Sequence, residues 1–258
     1  MTGAAGVKPL ILGNWKMHLT ASETTAHLTG LLPLLRAVPD DREIAVAPPF
    51  TSLPAAADLL RGGPVRLAAQ DLSVKEEGPY TGEISGEMLQ ELGVRYVLIG
   101  HSERRQHFGE TDRTVAQKVL AALRSDLAPV VCVGEQETAR TSGRAGTVVR
   151  TQLLRALEGV PRGDAGRVVV AYEPVWAIGT GHAASPRDAE EMQTVIRTAL
   201  GQPFGAAAST VRVLYGGSVT PGNIDAFMAC PGIDGALVGG ASLRIDEFAR
   251  IAGCRLHS

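Results

Sequence analysis

Eight short apolar runs recur along the chain, each bounded by Gly, Pro or polar residues. They are 8–13 KPLILG, 43–48 EIAVAP, 65–70 VRLAAQ, 95–100 RYVLIG, 129–134 PVVCVG, 167–172 RVVVAY, 211–216 VRVLYG and 235–240 GALVGG. Their hydrophobicity is near-continuous and not alternating. A strand that is apolar on both faces is buried on both faces, which points to a parallel sheet covered by helices.

The stretches between the runs carry helical periodicity. Leu28, Leu31, Leu32 and Leu35 share one face, as do Val115, Val119, Ala122 and Leu123, and Met192, Val195, Ile196, Ala199 and Leu200. Ser185-Pro186-Arg187-Asp188 offers an N-cap, a proline at the first helical position and an acid three residues after the cap. The segment 78–92 predicts a turn-rich loop that runs into a helix. Eight strands alternating with helices in 258 residues is the count of an α/β chain folded as a (β/α)8 barrel, an eight-stranded parallel barrel ringed by helices. A doubly wound open sheet competes, but it should carry G-x-G-x-x-G after an early strand, and no early run is followed by one. No linker or internal repeat divides the chain, so residues 1–258 are expected to form one domain, with 251–258 as a short C-terminal tail.

Composition excludes several classes. With 45% hydrophobic and 20% charged residues the chain is not a disordered one. A net charge of −2 gives no basic excess, so neither nucleic acid nor an anionic membrane is expected as partner. Cys132, Cys230 and Cys254 are odd in number and form no CxxC. They suit a reducing cytoplasm and imply no metal. The N-terminal apolar run is too short for a signal peptide or a membrane span. No cluster at ligand spacing and no nucleotide fingerprint calls for a metal or a cofactor.

In such barrels chemistry sits at the C-terminal ends of the strands. Asn14, Trp15 and Lys16 follow the first run, His101, Ser102 and Glu103 the fourth, and Glu173 with 174–181 the sixth. Gly216, Gly217 and Ser218 end the seventh, and Gly239 and Gly240 the eighth. A cation, an imidazole and a carboxylate thus share one rim with glycine-rich turns. Lys16 is one of four lysines against 21 arginines, so its place in the motif is worth notice.

GNWKM, IGHSERR, AYEPVWAIGTG, LYGGSV and DGALVGGASL, in that order, resemble the motifs of triosephosphate isomerases, as do Gln70-Asp71 and YTGEIS at 80–85. The resemblance runs over nearly the whole chain. It implies a TIM barrel and an aldose–ketose isomerase of glycolysis and gluconeogenesis. Its reaction would interconvert dihydroxyacetone phosphate and D-glyceraldehyde 3-phosphate through an enediol. That chemistry needs a base beside a carbonyl, stabilisation of the carbonyl oxygen, a grip on phosphate and exclusion of water.

Glu173 is the expected base, its basicity raised by burial under an apolar lid. By residue type alone, a salt-bridged carboxylate at a strand end fits equally well. His101 is the expected electrophile, a neutral imidazole whose pKa is lowered by the helix start behind it, an assignment that triosephosphate isomerase itself exemplifies. A histidine that only caps the helix is the plainer reading. Lys16 supplies fixed positive charge. The resemblance further implies that Asn14 orients substrate and lysine, and that Glu103 neighbours the lysine. Backbone N–H groups at Gly179, Ser218, Gly239 and Gly240 would bind phosphate, assisted by a helix after Gly240. The lid would be Pro174, Val175, Trp176, Ala177, Ile178, Gly179, Thr180 and Gly181, held closed by Tyr215 and Ser218. Cys132 reads as a buried structural thiol.

The loop 73–83 resembles the loop by which one subunit enters its neighbour, which implies a homodimer with Thr81 reaching toward the partner's site. His18 and His182 depart from the family pattern, at the subunit contact and at the trailing hinge of the lid. Other functions stay open at this level: an isomerase of a four-carbon ketose phosphate on the same scaffold, a Schiff-base aldolase using Lys16, and a non-catalytic phosphate-binding barrel.

Overall fold

A computed structural model describes residues 7–178 and 184–256. Eight parallel strands close into a barrel in chain order: β1 (Leu10–Asn14), β2 (Glu43–Ala47), β3 (Val65–Ala69), β4 (Val94–Ile99), β5 (Ala128–Val133), β6 (Val169–Tyr172), β7 (Arg212–Tyr215) and β8 (Gly235–Val238). The barrel is sealed where Leu10 to Gly13 of β1 register with Gly235 to Val238 of β8. The described helices are α1 (Ala21–Leu35), α2 (Leu53–Leu60), α3 (Gly86–Glu91), α4 (Ser102–His107), α5 (Asp112–Arg124), α6 (Glu137–Thr141), α7 (Ala145–Ala156), α8 (Pro186–Phe204), α9 (Ile224–Met228) and α10 (Ile245–Ala252). Among the described residues no helix is long and apolar enough to cross a membrane.

Both faces of the strands are buried because they meet two different cores. Leu10, Leu12, Tyr96, Leu98 and Cys132 belong to the cluster that fills the barrel, while Ile11, Val97, Ile99 and Val131 join the larger layer under the helices. This two-sided burial is why the runs read as continuous. The stripes of α1, α5 and α8 face that outer layer, with Leu28, Leu31, Val115, Val119, Ile196 and Leu200 fully buried. Ser185 caps α8 and forms a reciprocal capping box with Asp188, Pro186 taking the first turn.

The floor of the barrel is polar. Tyr96 Oη donates to Glu43 Oε2 at 2.6 Å, and Arg212 donates to Glu43 Oε2 at 2.8 Å and to Tyr96 Oη at 2.7 Å. Burial pushes the Tyr96 phenol up to about 12, so it stays a donor.

Two expectations are amended at the C-terminal end. The segment after Gly240 does not enter a helix directly: a 3-10 turn, Gly240–Leu243, comes first, and α10 begins at Ile245. Residues 251–252 lie inside α10, and Cys254 is buried, with Arg42 donating to the Ala252 carbonyl at 3.1 Å and to the Cys254 carbonyl at 2.5 Å. Residues 252–254 are thereby held to Arg42, the residue before β2.

Candidate active site

The C-terminal rim gathers the groups from five strands. A cavity of about 330 Å³ is lined by Asn14, Lys16, His101, Glu173, Ile178, Ser218, Gly239 and Gly240, among others. Each comes from the end of a strand or the loop after it, where this fold brings residues far apart in sequence together.

Lys16 is held in a left-handed conformation with φ +52°, costly for a non-glycine residue. Its backbone N–H donates to Asn14 Oδ1 at 3.0 Å, and its carbonyl accepts from Gln70 Nε2 at 2.7 Å. The same amide reaches the Ala47 carbonyl at 2.9 Å, tying the loop to β2. These clamps aim the ammonium across the barrel mouth, where Nζ donates to Glu103 Oε1 at 2.6 Å.

His101 is buried and is the N-cap of α4. The Glu103 N–H donates to its Nδ1 at 3.3 Å. The capping role and the site role are therefore one arrangement: with Nδ1 accepting, the ring proton sits on Nε2, which faces Glu173 Oε1 at 3.0 Å. The first turn of α4 is anchored by a buried ionic cluster. Arg104 meets Asp71 at 2.9 Å and Glu110 at 2.7 Å, and Lys118 bridges the same two carboxylates.

Glu173 is almost wholly buried. Its Oε2 accepts from the Ser102 N–H at 2.9 Å, and its backbone N–H donates to the Val133 carbonyl at 2.8 Å. Here an expectation is corrected. Burial works to raise the Glu173 pKa, but the His101 ring, the Ser102 N–H and Lys16 outweigh it, so the carboxyl lies below its ordinary value. The expectation for His101 is corrected likewise. Burial lowers its pKa, but the Glu173 and Glu103 carboxylates outweigh burial and raise it in this resting arrangement.

The leading part of the lid is seated on Glu135. Trp176 Nε1 donates to Glu135 Oε1 at 2.8 Å, Tyr172 Oη donates to the same atom at 3.1 Å, and the Arg140 guanidinium lies 4.0 Å from the centre of the Trp176 ring system. Val175–Ala177 form a 3-10 turn, and Pro174 is buried. Gly179, Thr180, Gly181 and His182 lie outside the described residues. Tyr215 is buried and stacked on Phe227 at 3.9 Å, while Ser218 is exposed at the cavity. Gly239 accepts from Ser242 N–H at 2.8 Å, which fixes the turn that presents Gly240. Thr81 stands apart from the cavity in an exposed loop. Cys132 is buried inside the barrel, where burial pushes its pKa well up, so it is a structural thiol. Sequence reasoning missed Gln70 as the clamp on Lys16, Glu135 as the seat of Trp176, and Arg244 at the cavity mouth. Only Gln70, beside an aspartate at a strand end, left a signal.

The profile of the triosephosphate isomerase family matches residues 9–255. The chain belongs to the triosephosphate isomerase family. It is 52% identical over 244 residues to the triosephosphate isomerase of Roseiflexus castenholzii, covering 94% of this chain and 96% of that one. It is 51% identical over 244 residues to that of Moorella thermoacetica, with coverage of 95% and 97%. The crystal structure of triosephosphate isomerase from Bartonella henselae superposes with a TM-score of 0.86 at 36% identity, covering 95% of this chain and 98% of that one. Membership makes the chain an enzyme, an aldose–ketose isomerase acting on a triose phosphate.

Proposed function

We propose that Glu173, His101 and Lys16 carry the interconversion of dihydroxyacetone phosphate and D-glyceraldehyde 3-phosphate through an enediol(ate). The observation that carries this assignment is their convergence on one cavity, with the Glu173 carboxylate 3.0 Å from His101 Nε2. Glu173 takes a proton from the carbon beside the carbonyl and returns it to the neighbouring carbon. His101 donates from Nε2 to the carbonyl oxygen, its tautomer fixed by the N–H on Nδ1. Lys16 stabilises charge on that oxygen and on the phosphate. Asn14 holds the Lys16 backbone, and Glu103 holds its ammonium. Backbone N–H groups at Ser218, Gly239, Gly240 and Gly179 receive the phosphate, with residues 174–181 as the lid.

To reach substrate, Glu173 leaves the Ser102 N–H and the imidazole. Both contacts lower its pKa, so leaving them hands control to burial, which raises it. The same move frees His101 of the Glu173 carboxylate and leaves Glu103 alone against burial and the helix start, both of which favour the neutral ring. A single displacement thereby turns a resting hydrogen-bonded pair into a base and an electrophile.

The enzyme works as a cytoplasmic homodimer in this reading. Met17, next to Lys16, is 93% exposed, and the loop from Lys75 to Glu83 is exposed throughout. A second copy would cover both and bring Thr81 to the neighbouring site. No cofactor enters the reaction.

The deciding experiment is Glu173→Gln in a coupled assay offered three- and four-carbon ketose phosphates. Loss of a general base costs about 10²–10⁴-fold in kcat, with binding of inorganic phosphate retained. A variant that keeps a tenth of the wild-type rate refutes the assignment, and a wild-type preference for the four-carbon compound refutes the substrate.

A further inference from the structure

Arg244 stands at the mouth of the cavity assigned to the substrate phosphate, and the role proposed for it rests on that assignment. It comes after the Gly240–Leu243 turn and just before α10. Its guanidinium is forked onto Glu247, Nε to Oε1 and Nη2 to Oε2, both at 2.5 Å, with Nη1 3.5 Å from the Gly240 carbonyl oxygen. Arg244 lines the cavity and Glu247 does not. The pair is thus a dipole with its positive end on the cavity and its negative end, the less exposed of the two, off the cavity lining.

Lys16 is matched by Glu103 at 2.6 Å, and Glu173 adds a second carboxylate. Among the described residues lining the cavity, Arg244 is the other permanent cation, and its side chain is 60% exposed against 28% for Lys16, so its field extends into solvent. Enzymes of this reaction are the standard case of turnover limited by diffusional encounter. Such rates respond to charge at the mouth of a cleft more than to contacts inside it.

We propose that Arg244 steers the phosphate dianion of the substrate into the site, and that Glu247 sets how much of that charge is offered to solvent. Arg244 acts before the chemistry and is not a catalytic residue. Its bidentate tie to Glu247 keeps the guanidinium at the rim and out of the place that the phosphate takes.

The test compares kcat and kcat/KM for wild type, Arg244→Gln, Arg244→Lys and Glu247→Gln at ionic strengths of about 0.01 M and about 0.15 M, where charges are screened over about 30 Å and about 8 Å. Arg244→Gln lowers kcat/KM about two- to fivefold at low salt and by less than about 1.5-fold at high salt, with kcat little changed. Glu247→Gln raises kcat/KM at low salt by a similar factor, and Arg244→Lys keeps most of the wild-type salt slope. Circular dichroism confirms that the variants fold. The proposal is overturned if Arg244→Gln matches wild type at low salt, if its loss is equal at both ionic strengths, or if Glu247→Gln lowers kcat/KM. A wild-type protein without isomerase activity overturns the assignment of the cavity itself, which is a separate outcome.

Discussion

Gly134 is the tightest point behind the proposed base, and Gly134→Ala tests how closely that base must be placed. A Cβ at this position would lie 1.7 Å from the Glu173 carbonyl oxygen and 2.7 Å from its carbonyl carbon, where real Cβ atoms essentially never approach within 3.0 Å. The ends of β5 and β6 must therefore part by at least 1.3 Å. Both offending atoms are backbone, so no rotamer change relieves the contact. The parting strains the bond from Glu173 N–H to the Val133 carbonyl, now 2.8 Å, and carries the carboxylate away from His101. Overpacking of this kind costs about 1–3 kcal/mol, a fall in Tm of about 2–12 °C for a domain of this size. The catalytic loss should be larger, because a misplacement of about 1 Å at the reacting atoms costs about 10²-fold. We expect kcat/KM to fall by about 10²-fold at 25 °C, where circular dichroism shows the variant folded. Gly146→Ala in α7 is the control: its Cβ would make ordinary contacts, 3.5 Å from Val195, and alanine favours a helix by about 1 kcal/mol over glycine. A folded Gly134→Ala enzyme within about threefold of wild type would falsify the claim that β5 packing positions the base.

Lys16→Met should lower kcat/KM by at least about 10²-fold, since two charge-assisted bonds at about 1.5–3 kcal/mol each are lost, and Lys16→Arg should restore only part, because a planar fork does not replace a compact ammonium; near-normal rates in folded Lys16→Met would mean that backbone N–H groups alone hold the phosphate. Cys132 should resist thiol reagents at pH 8 until the protein unfolds, because burial pushes its pKa well up; labelling of the native protein at the rate of the partly exposed Cys230 would contradict its place inside the barrel. Burial works to raise the Glu43 pKa, but Tyr96 and Arg212 outweigh it and leave it lowered, so its stabilisation is full above an unfolded value of about 4.3 and is lost as pH falls through the lower folded value. Urea unfolding should therefore weaken more steeply below about pH 4.5 in wild type than in Glu43→Gln, and parallel curves would remove Glu43 from the acid response.

Most of the fold was legible because the constraints that shape it are local. The run 43–48 became β2 (Glu43–Ala47), and 95–100 became β4 (Val94–Ile99). Differences arise where a turn takes strand residues for itself: the Arg162–Arg167 3-10 turn delays β6 to Val169, and the turn at Gly239 and Gly240 ends β8 at Val238. The site was legible as a set of strand ends, which is enough to bring Asn14, Lys16, His101 and Glu173 together on one cavity. What holds them was not. The clamp of Gln70 on Lys16 spans 54 residues, and the bond from Trp176 to Glu135 spans 41. Such pairs carry no periodicity, since each partner follows its own strand and only the side-by-side pairing of those strands in the sheet brings them together.

The corrected pKa directions show a second kind of limit. From sequence, Glu173 reads as a carboxylate under an apolar lid, and burial alone makes such a group a stronger base. In the resting site the same burial also strengthens every opposing contact, because the Ser102 N–H and the His101 ring act across little intervening water. The contacts win, and the carboxyl becomes a weaker base than a free glutamate. Basicity is therefore a property of where the side chain is, not of which residue it is. A base held at rest in its weak state does not capture protons from water, and it gains strength only on the path toward substrate. The feature that makes this possible, a histidine that is at once the cap of α4 and the partner of Glu173, is fixed by the short strand-to-helix connection at Gly100, where φ is +72°. That turn can be inferred from the sequence as a glycine at a strand end; its consequence for the base can be seen only with both strands in place.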